Sequence, residues 1–181
     1  MSGCLLLLPL LLIRFIGPFL LDRDLLRRAA HLPHPQQTGE SILFLLYELA
    51  SAGILLYPCW TAIHFSPTFL FYPALSLYGV GLLLLSLSMG AFSRPTSEGF
   101  CQTGIYRFSR NPIYLSYFFL FGGCVLMTQS LIFFGIFVLF VGTTHAVILA
   151  EERWCIEQFG ESYRQYARRV GRYLTLCGGR L

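Results

Sequence analysis

The stretch IYLSYFFLFGGCVLMTQSLIFFGIFVLFVGTTHAVILA, residues 113–150, decides the fold. It consists of two apolar runs, 113–127 and 131–150, with little more than Gln129 and Ser130 between them. Crossing a hydrocarbon core takes roughly 17 to 25 residues, so the second run is long enough and the first is short. The pattern predicts a tight helical hairpin whose first helix starts at the Pro112 turn, where proline is tolerated in a first helical turn.

Working outward, three further apolar stretches lie at 4–21, 41–63 and 69–92. The chain of 181 residues is 55% hydrophobic, 16% aromatic and only 12% charged, whereas a soluble domain carries roughly 25% charge. Its mean hydropathy is +0.63, and a domain this small has too little interior to hide that much apolar surface from water. These observations predict an all-α integral membrane protein with about five transmembrane helices and a cytosolic C-terminal helical segment. No internal repeat is visible, so residues 1–181 read as a single domain, with 1–92 forming three N-terminal spans and 93–181 a polar loop, the hairpin and a C-terminal segment. The first stretch lacks a basic leader and a small-residue cleavage pattern and carries Arg14, so it is expected to be retained as a helix rather than removed as a signal peptide.

The 13 basic residues are all arginine. If the spans alternate in direction, residues 22–40, 93–112 and 151–181 share one side and hold 12 of the 13 arginines, while the loops near 64–68 and 128–130 hold none. Cytosolic loops accumulate Arg and Lys, so the expected orientation is N-terminus outside and C-terminus cytosolic, in a bacterial inner membrane or the endoplasmic reticulum. Arg14 is the exception, and Glu48 is its acidic counterpart within an apolar run. Both are expected roughly 10 Å inside the membrane, where an ion pair would offset the cost of burying either charge. Glu48 facing a ligand cavity is the alternative. The six cysteines include no CxxC pair and read as packing residues rather than a disulfide or zinc framework. His31 and His34 have an HxxH spacing, but Pro33 and Pro35 exclude the regular helix that would align them on a metal.

Two segments beside the membrane, 99–114 and 151–173, are dense in polar and aromatic residues. Because a hairpin returns the chain to the side it left, residues 111–114 should meet Glu151 and Glu152 in a pocket at the cytosolic face. Tyr106, Arg107, Arg110 and Tyr114 taken alone read as an interfacial anchor, with rings at headgroup depth and arginines on lipid phosphates. Arg164, Arg168, Arg169 and Arg172 read as a solvated or lipid-facing stripe on a short helix after a break at Gly160.

The sequence TGIYRFSRNPIYLSYF (103–118), followed after one hairpin by EERWCIEQFGESYRQYARRVGRYL (151–174), resembles the membrane methyltransferases typified by isoprenylcysteine carboxyl methyltransferase and the phospholipid methyltransferases. The shared pieces are a Gly-x-Tyr turn, an Arg-His-Pro-x-Tyr element, a hairpin, a Glu-Glu pair and the tail Phe159, Gly160, Tyr163, Tyr166. The resemblance covers about the last 90 residues. It implies an S-adenosyl-L-methionine site enclosed by the last two helices and the C-terminal segment, with a lipophilic or lipid-attached substrate entering from the bilayer; membrane lipids are the expected partners, and neither nucleic acid nor metal is. By position in the motif, cofactor contacts fall on Glu98, Gly99, Phe100, Cys101, Tyr106, Asn111, Pro112, Ile113, Tyr114 and Glu151, with Arg110 on the cofactor carboxylate and Glu152, Tyr163 and Arg172 as lesser candidates. Aromatic faces suit a sulfonium and a carboxylate suits an ammonium or ribose hydroxyl. Methyl transfer needs alignment of nucleophile, methyl and sulfur at about 3 Å more than it needs proton chemistry, and no residue is assigned a catalytic proton transfer.

Two positions depart from the family pattern. Asn111 stands where the family has His; it donates and accepts hydrogen bonds but is no efficient general base. Val147 stands where the prenylcysteine enzymes have a substrate-binding Arg, and His145 nearby on the same helix reads first as a packed residue. Two other classes remain open: a membrane NADPH-dependent reductase related to the sterol reductases, against which the short chain argues, and a non-catalytic membrane protein that keeps the shape of the site.

Overall fold

The computed structural model describes residues 3–16, 38–61, 69–93 and 99–175, and every regular element among them is helical. Helix α1 (Leu7–Leu11) is flanked by a 3-10 turn, Gly3–Leu6, and a π turn, Leu12–Ile16. Helix α2 spans Thr38–Leu56 and ends in a 3-10 turn at Tyr57–Trp60, where Pro58 withdraws a backbone donor. Helices α3 (Phe71–Phe92), α4 (Pro112–Thr128) and α5 (Leu131–Arg169) follow, with a 3-10 turn at Gly104–Arg107 before α4.

Three segments, Ser41–Trp60, Phe71–Phe92 and Leu131–Arg169, are long and apolar enough to cross a membrane, while Gly3–Arg14 and Pro112–Thr128 are apolar but shorter. Large apolar side chains point outward along them: Ile42, Leu45 and Leu49 on α2, Leu75 and Leu83 on α3, and Leu131 and Ile132 on α5 are exposed on the bundle surface. Such a belt would be a liability in water and is the expected lipid-facing surface of an integral membrane protein.

The expected turn between α4 and α5 is present. Pro112 is the first residue of α4, and Gln129 takes a left-handed conformation, φ 51°, so that its N–H reaches Val125 O at 2.9 Å. Ser130 then caps α5 by accepting from the Phe133 N–H. Beyond this turn the two helices part company: α4 packs chiefly on α3 and α5 chiefly on α2. Small residues decide the first pairing. A Cβ on Gly81 would lie 2.5 Å from Leu120 N, and one on Gly123 would lie 2.7 Å from both Ala74 O and Tyr78 N. The two backbones are therefore in mutual contact, which in lipid, where burial of apolar surface gives no drive for helices to associate, supplies the dispersion contacts that hold them. The core joins Leu7 and Leu10, Ala50 and Ile54, Leu85 and Met89, Leu120 and Cys124, and Phe133 and Phe140, drawing on every helix.

The ion pair expected between Arg14 and Glu48 is not formed. Helix α2 faces α5 through Tyr47, stacked on Phe140 at 6.1 Å, and through the buried Ala50 and Ile54; Glu48, one residue round the helix from Tyr47, is turned outward and exposed. The first helix lies instead along α3. Tyr78 Oη donates to Leu6 O at 2.6 Å, and the Arg14 guanidinium lies 3.8 Å from Met89 Sδ.

Gly123→Leu should force α3 and α4 apart and lower unfolding free energy in detergent by about 3 kcal/mol, the upper part of the overpacking range, with Gly122→Ala close to neutral as the control. Thermal unfolding of the purified variants followed by circular dichroism checks this.

Candidate active site

Helix α5 does not run straight to its end. At Gly160 the backbone takes φ 57° and ψ −131°, a conformation open mainly to glycine, so α5 is two helices meeting at a kink, as the sequence break suggests. The kink turns residues 161–169 back against the loop that precedes α4. Phe100 sits among Phe159, Tyr163 and Tyr166 with ring centroids 5.1, 5.2 and 5.6 Å away, and Tyr166 Oη donates to Tyr106 O at 2.8 Å.

Residues 170–175 then lie antiparallel to 108–111. Arg110 N donates to Gly171 O at 3.0 Å, Thr175 N to Phe108 O at 2.9 Å and Ser109 Oγ to Arg172 O at 3.3 Å. Asn111 Nδ2 joins them, donating to Arg172 O at 3.3 Å and to Glu152 Oε1 at 3.1 Å.

Glu152 is the centre of this arrangement. Its Oε2 accepts from Arg172 Nε at 3.0 Å and Nη2 at 2.9 Å, and its Oε1 pairs with Arg110 Nη2 at 3.5 Å besides accepting from Asn111. The carboxylate is 8% exposed, so these donors replace the water it has lost. Those same bonds hold the Arg172 guanidinium above its ordinary pKa.

Glu151, one residue earlier, points elsewhere. It accepts from Tyr114 Oη at 2.6 Å through Oε1, and Oε2 makes no hydrogen bond among the described residues. Arg110 Nε is buried and has no hydrogen-bond partner among the described residues. One acid of the pair is thus engaged on both oxygens within the protein, while its neighbour is engaged on one. Tyr106 is 8% exposed, and burial first, then the nearby Cys101, pushes its phenol up from the ordinary value, so it offers a neutral ring at neutral pH.

Of the residues singled out from the sequence, Tyr106, Arg110, Asn111, Pro112, Tyr114, Glu151 and Glu152 come together at this end of the bundle. Gly99, Phe100 and Cys101 lie on its rim: Gly99 faces Phe159, Phe100 fills the tyrosine cluster, and Cys101 Sγ reaches Ala91 O at 3.4 Å. Ile113 packs against the main apolar core. Glu98, His31 and His34 lie outside the described residues. Of the four arginines expected as an exposed stripe, Arg172 turns inward to Glu152, whereas Arg164, Arg168 and Arg169 are exposed, the first two paired with Glu161; Tyr163 packs on Phe100. His145 is exposed rather than packed and shares a 2.6 Å hydrogen bond with Tyr173 Oη. Ser109, 1% exposed, is a residue of this region that the sequence did not single out; its place between Arg107 and Arg110 is the one signal for it. Among the described residues no three His, Cys, Asp or Glu side chains come together in a group suited to a metal.

Removing the Glu152 carboxylate would leave Arg110 and Arg172 side by side without an anion. Glu152→Ala should cost about 3 kcal/mol of stability, the lower end of the range for breaking a buried ion pair because Arg172 is partly exposed. Glu152→Gln should recover only part of that loss. Denaturant unfolding in detergent, with the wild-type midpoint as reference, measures both.

No curated protein and no solved structure matches the chain. Residues 74–162, just under half of the sequence, match the phospholipid methyltransferase family. The match begins well before the motifs that carry the resemblance and takes in most of α3, the loop, α4 and α5 as far as the kink. The part of the chain that builds the helical pairing and the acidic pair is therefore similar to the phospholipid methyltransferase family, a family of membrane methyltransferases, consistent with the resemblance that the motifs carry.

Proposed function

We propose that this protein is an S-adenosyl-L-methionine-dependent methyltransferase acting on a lipophilic or lipid-attached acceptor at the cytosolic face of the membrane, with the arginine-rich segments on that face, five helices crossing the bilayer and the N-terminus outside. The observation that carries this reading is the unequal use of the acidic pair: Glu152 is engaged by Arg172, Asn111 and Arg110, while Glu151 is engaged by Tyr114 through one oxygen, and the buried Arg110 Nε has no hydrogen-bond partner among the described residues. An amino acid ammonium or ribose hydroxyl is the natural complement of the first and a carboxylate that of the second, and the donor carries both kinds of group. The residues present thus fit the cofactor.

S-adenosyl-L-methionine, when bound, supplies a methyl group activated by a sulfonium. Glu151 would hold the donor's ammonium or ribose, Arg110 its carboxylate, and the ring of Tyr106 or Tyr114 would face the sulfonium. The clamp on Glu152 keeps residues 108–111 and 170–175 together and so fixes where Arg110 and Tyr114 stand, which matters because alignment contributes most to a displacement of this kind. Asn111 gives its amide protons to Glu152 and Arg172 O, a positioning role that suits its lack of basicity. The bilayer supplies the acceptor and, with the tail, excludes water from the site. No feature of the site favours the nicotinamide reductase reading.

Titration calorimetry in detergent should register heat of binding with S-adenosyl-L-methionine and none with NADPH. Glu151→Gln should weaken that binding by about 1 to 3 kcal/mol, the cost of a lost charged hydrogen bond, while keeping the wild-type melting temperature. Wild-type affinity in that variant would remove Glu151 from the site.

A further inference from the structure

At the end of the bundle away from the acidic pair, the first two helices are joined backbone to backbone. Gly3 N donates to Thr61 O at 2.9 Å, and a Cβ on Gly3 would lie 2.5 Å from Pro58 O. Within this contact Cys4 and Cys59 are both exposed and their Sγ atoms are 3.1 Å apart. The α4–α5 turn marks the same end: Tyr57 and Ser130 share a 2.9 Å hydrogen bond through their hydroxyls, and Tyr57 stacks on Phe133 with centroids 5.5 Å apart. Among the described residues, Cys4 and Cys59 are the two cysteines that meet; Cys124 is buried and Cys101 and Cys155 are half-buried elsewhere. Reading every cysteine as a packing residue therefore does not hold for this pair.

We propose that Cys4 and Cys59 form a disulfide that ties the first helix to the end of the second on the non-cytosolic side. The inference rests on the topology proposed above, which puts this end in an oxidising compartment, where disulfides form and persist. Bond formation needs the sulfurs to close to about 2.05 Å, a movement of roughly 1 Å that side-chain rotation supplies while the Gly3–Thr61 contact holds the backbones. The oxidant is the active-site disulfide of a thiol–disulfide oxidoreductase in that compartment. One cysteine thiolate attacks it to give a mixed disulfide, and the second displaces the oxidoreductase. Two thiols lose two protons and two electrons, and the oxidant's disulfide leaves as two thiols. The bond covalently closes the chain from Cys4 to Cys59 and so holds the start of the first helix at the end of α2.

The test uses the full chain purified in detergent from cell membranes, denatured in acid and alkylated with N-ethylmaleimide with and without prior reduction. Without reductant, every cysteine except Cys4 and Cys59 should be alkylated, and a non-reducing digest should contain the cross-linked Cys4–Cys59 peptides. After reduction all six should react. Cys4→Ser should make Cys59 reactive without reductant and lower the melting temperature by about 5 °C. Alkylation of both Cys4 and Cys59 in the unreduced wild-type protein, or linkage of either to another cysteine, overturns the proposal. A membrane-impermeant maleimide applied to Cys4→Ser in sealed vesicles of known orientation separates this from the topology: labelling of Cys59 from the cytosolic side sinks the proposed orientation, while the wild-type thiol count decides the disulfide.

Discussion

A carboxylate withdrawn from water must be given back the hydrogen bonds it lost, and the end of this molecule that carries the candidate site is organised around meeting that requirement for Glu152. The donors come from Arg110 and Asn111 before α4 and from Arg172 in the tail, so one acidic side chain on α5 ties together three segments far apart in sequence. Left unpaired, a charge buried this deeply would cost several kcal/mol. The tail therefore docks because the charges require it, and the tyrosine cluster around Phe100 gives that docking an apolar backing.

The membrane imposes a second constraint. Between helices already surrounded by hydrocarbon, burying another leucine gains little, and association depends on how closely backbones approach and how well polar groups are paired. Gly81 and Gly123 provide that approach between α3 and α4, and the Tyr57–Ser130 and Tyr78–Leu6 hydrogen bonds pin the opposite end of the bundle. The scaffold thus brings α4 beside α3 at one seam and α5 beside α2 at another, and Tyr114 of α4 meets Glu151 of α5 in a 2.6 Å hydrogen bond at the end that carries the acidic pair.

Adjacent glutamates on one helix point about 100° apart, and this geometry divides their roles. Glu152 turns toward the arginines and becomes structural, holding the loops that line the site. Glu151 turns toward Tyr114, which engages one of its oxygens. Asn111 fits the division: an amide can satisfy Glu152 and a backbone carbonyl at once without carrying a charge of its own.

Read alone, the sequence carried the helical class, the membrane environment, the turn at Gln129 and Ser130, the break at Gly160 and the meeting of residues 111–114 with Glu151 and Glu152. Each follows from local information: apolar run length, the conformational range of proline and glycine, or the fact that a turn reverses the chain. Which side chains face each other emerged from the packing of the helices. It turned Glu48 away from Arg14, because the orientation of α2 is set by Tyr47, Ala50 and Ile54 against α5 rather than by the charge. It paired α4 with α3 across Gly81 and Gly123, chose Arg172 over the other tail arginines as the partner of Glu152, and brought Cys4 to Cys59. These contacts join residues separated by tens of positions, and no periodicity along one segment carries the rotation of a helix about its own axis relative to another.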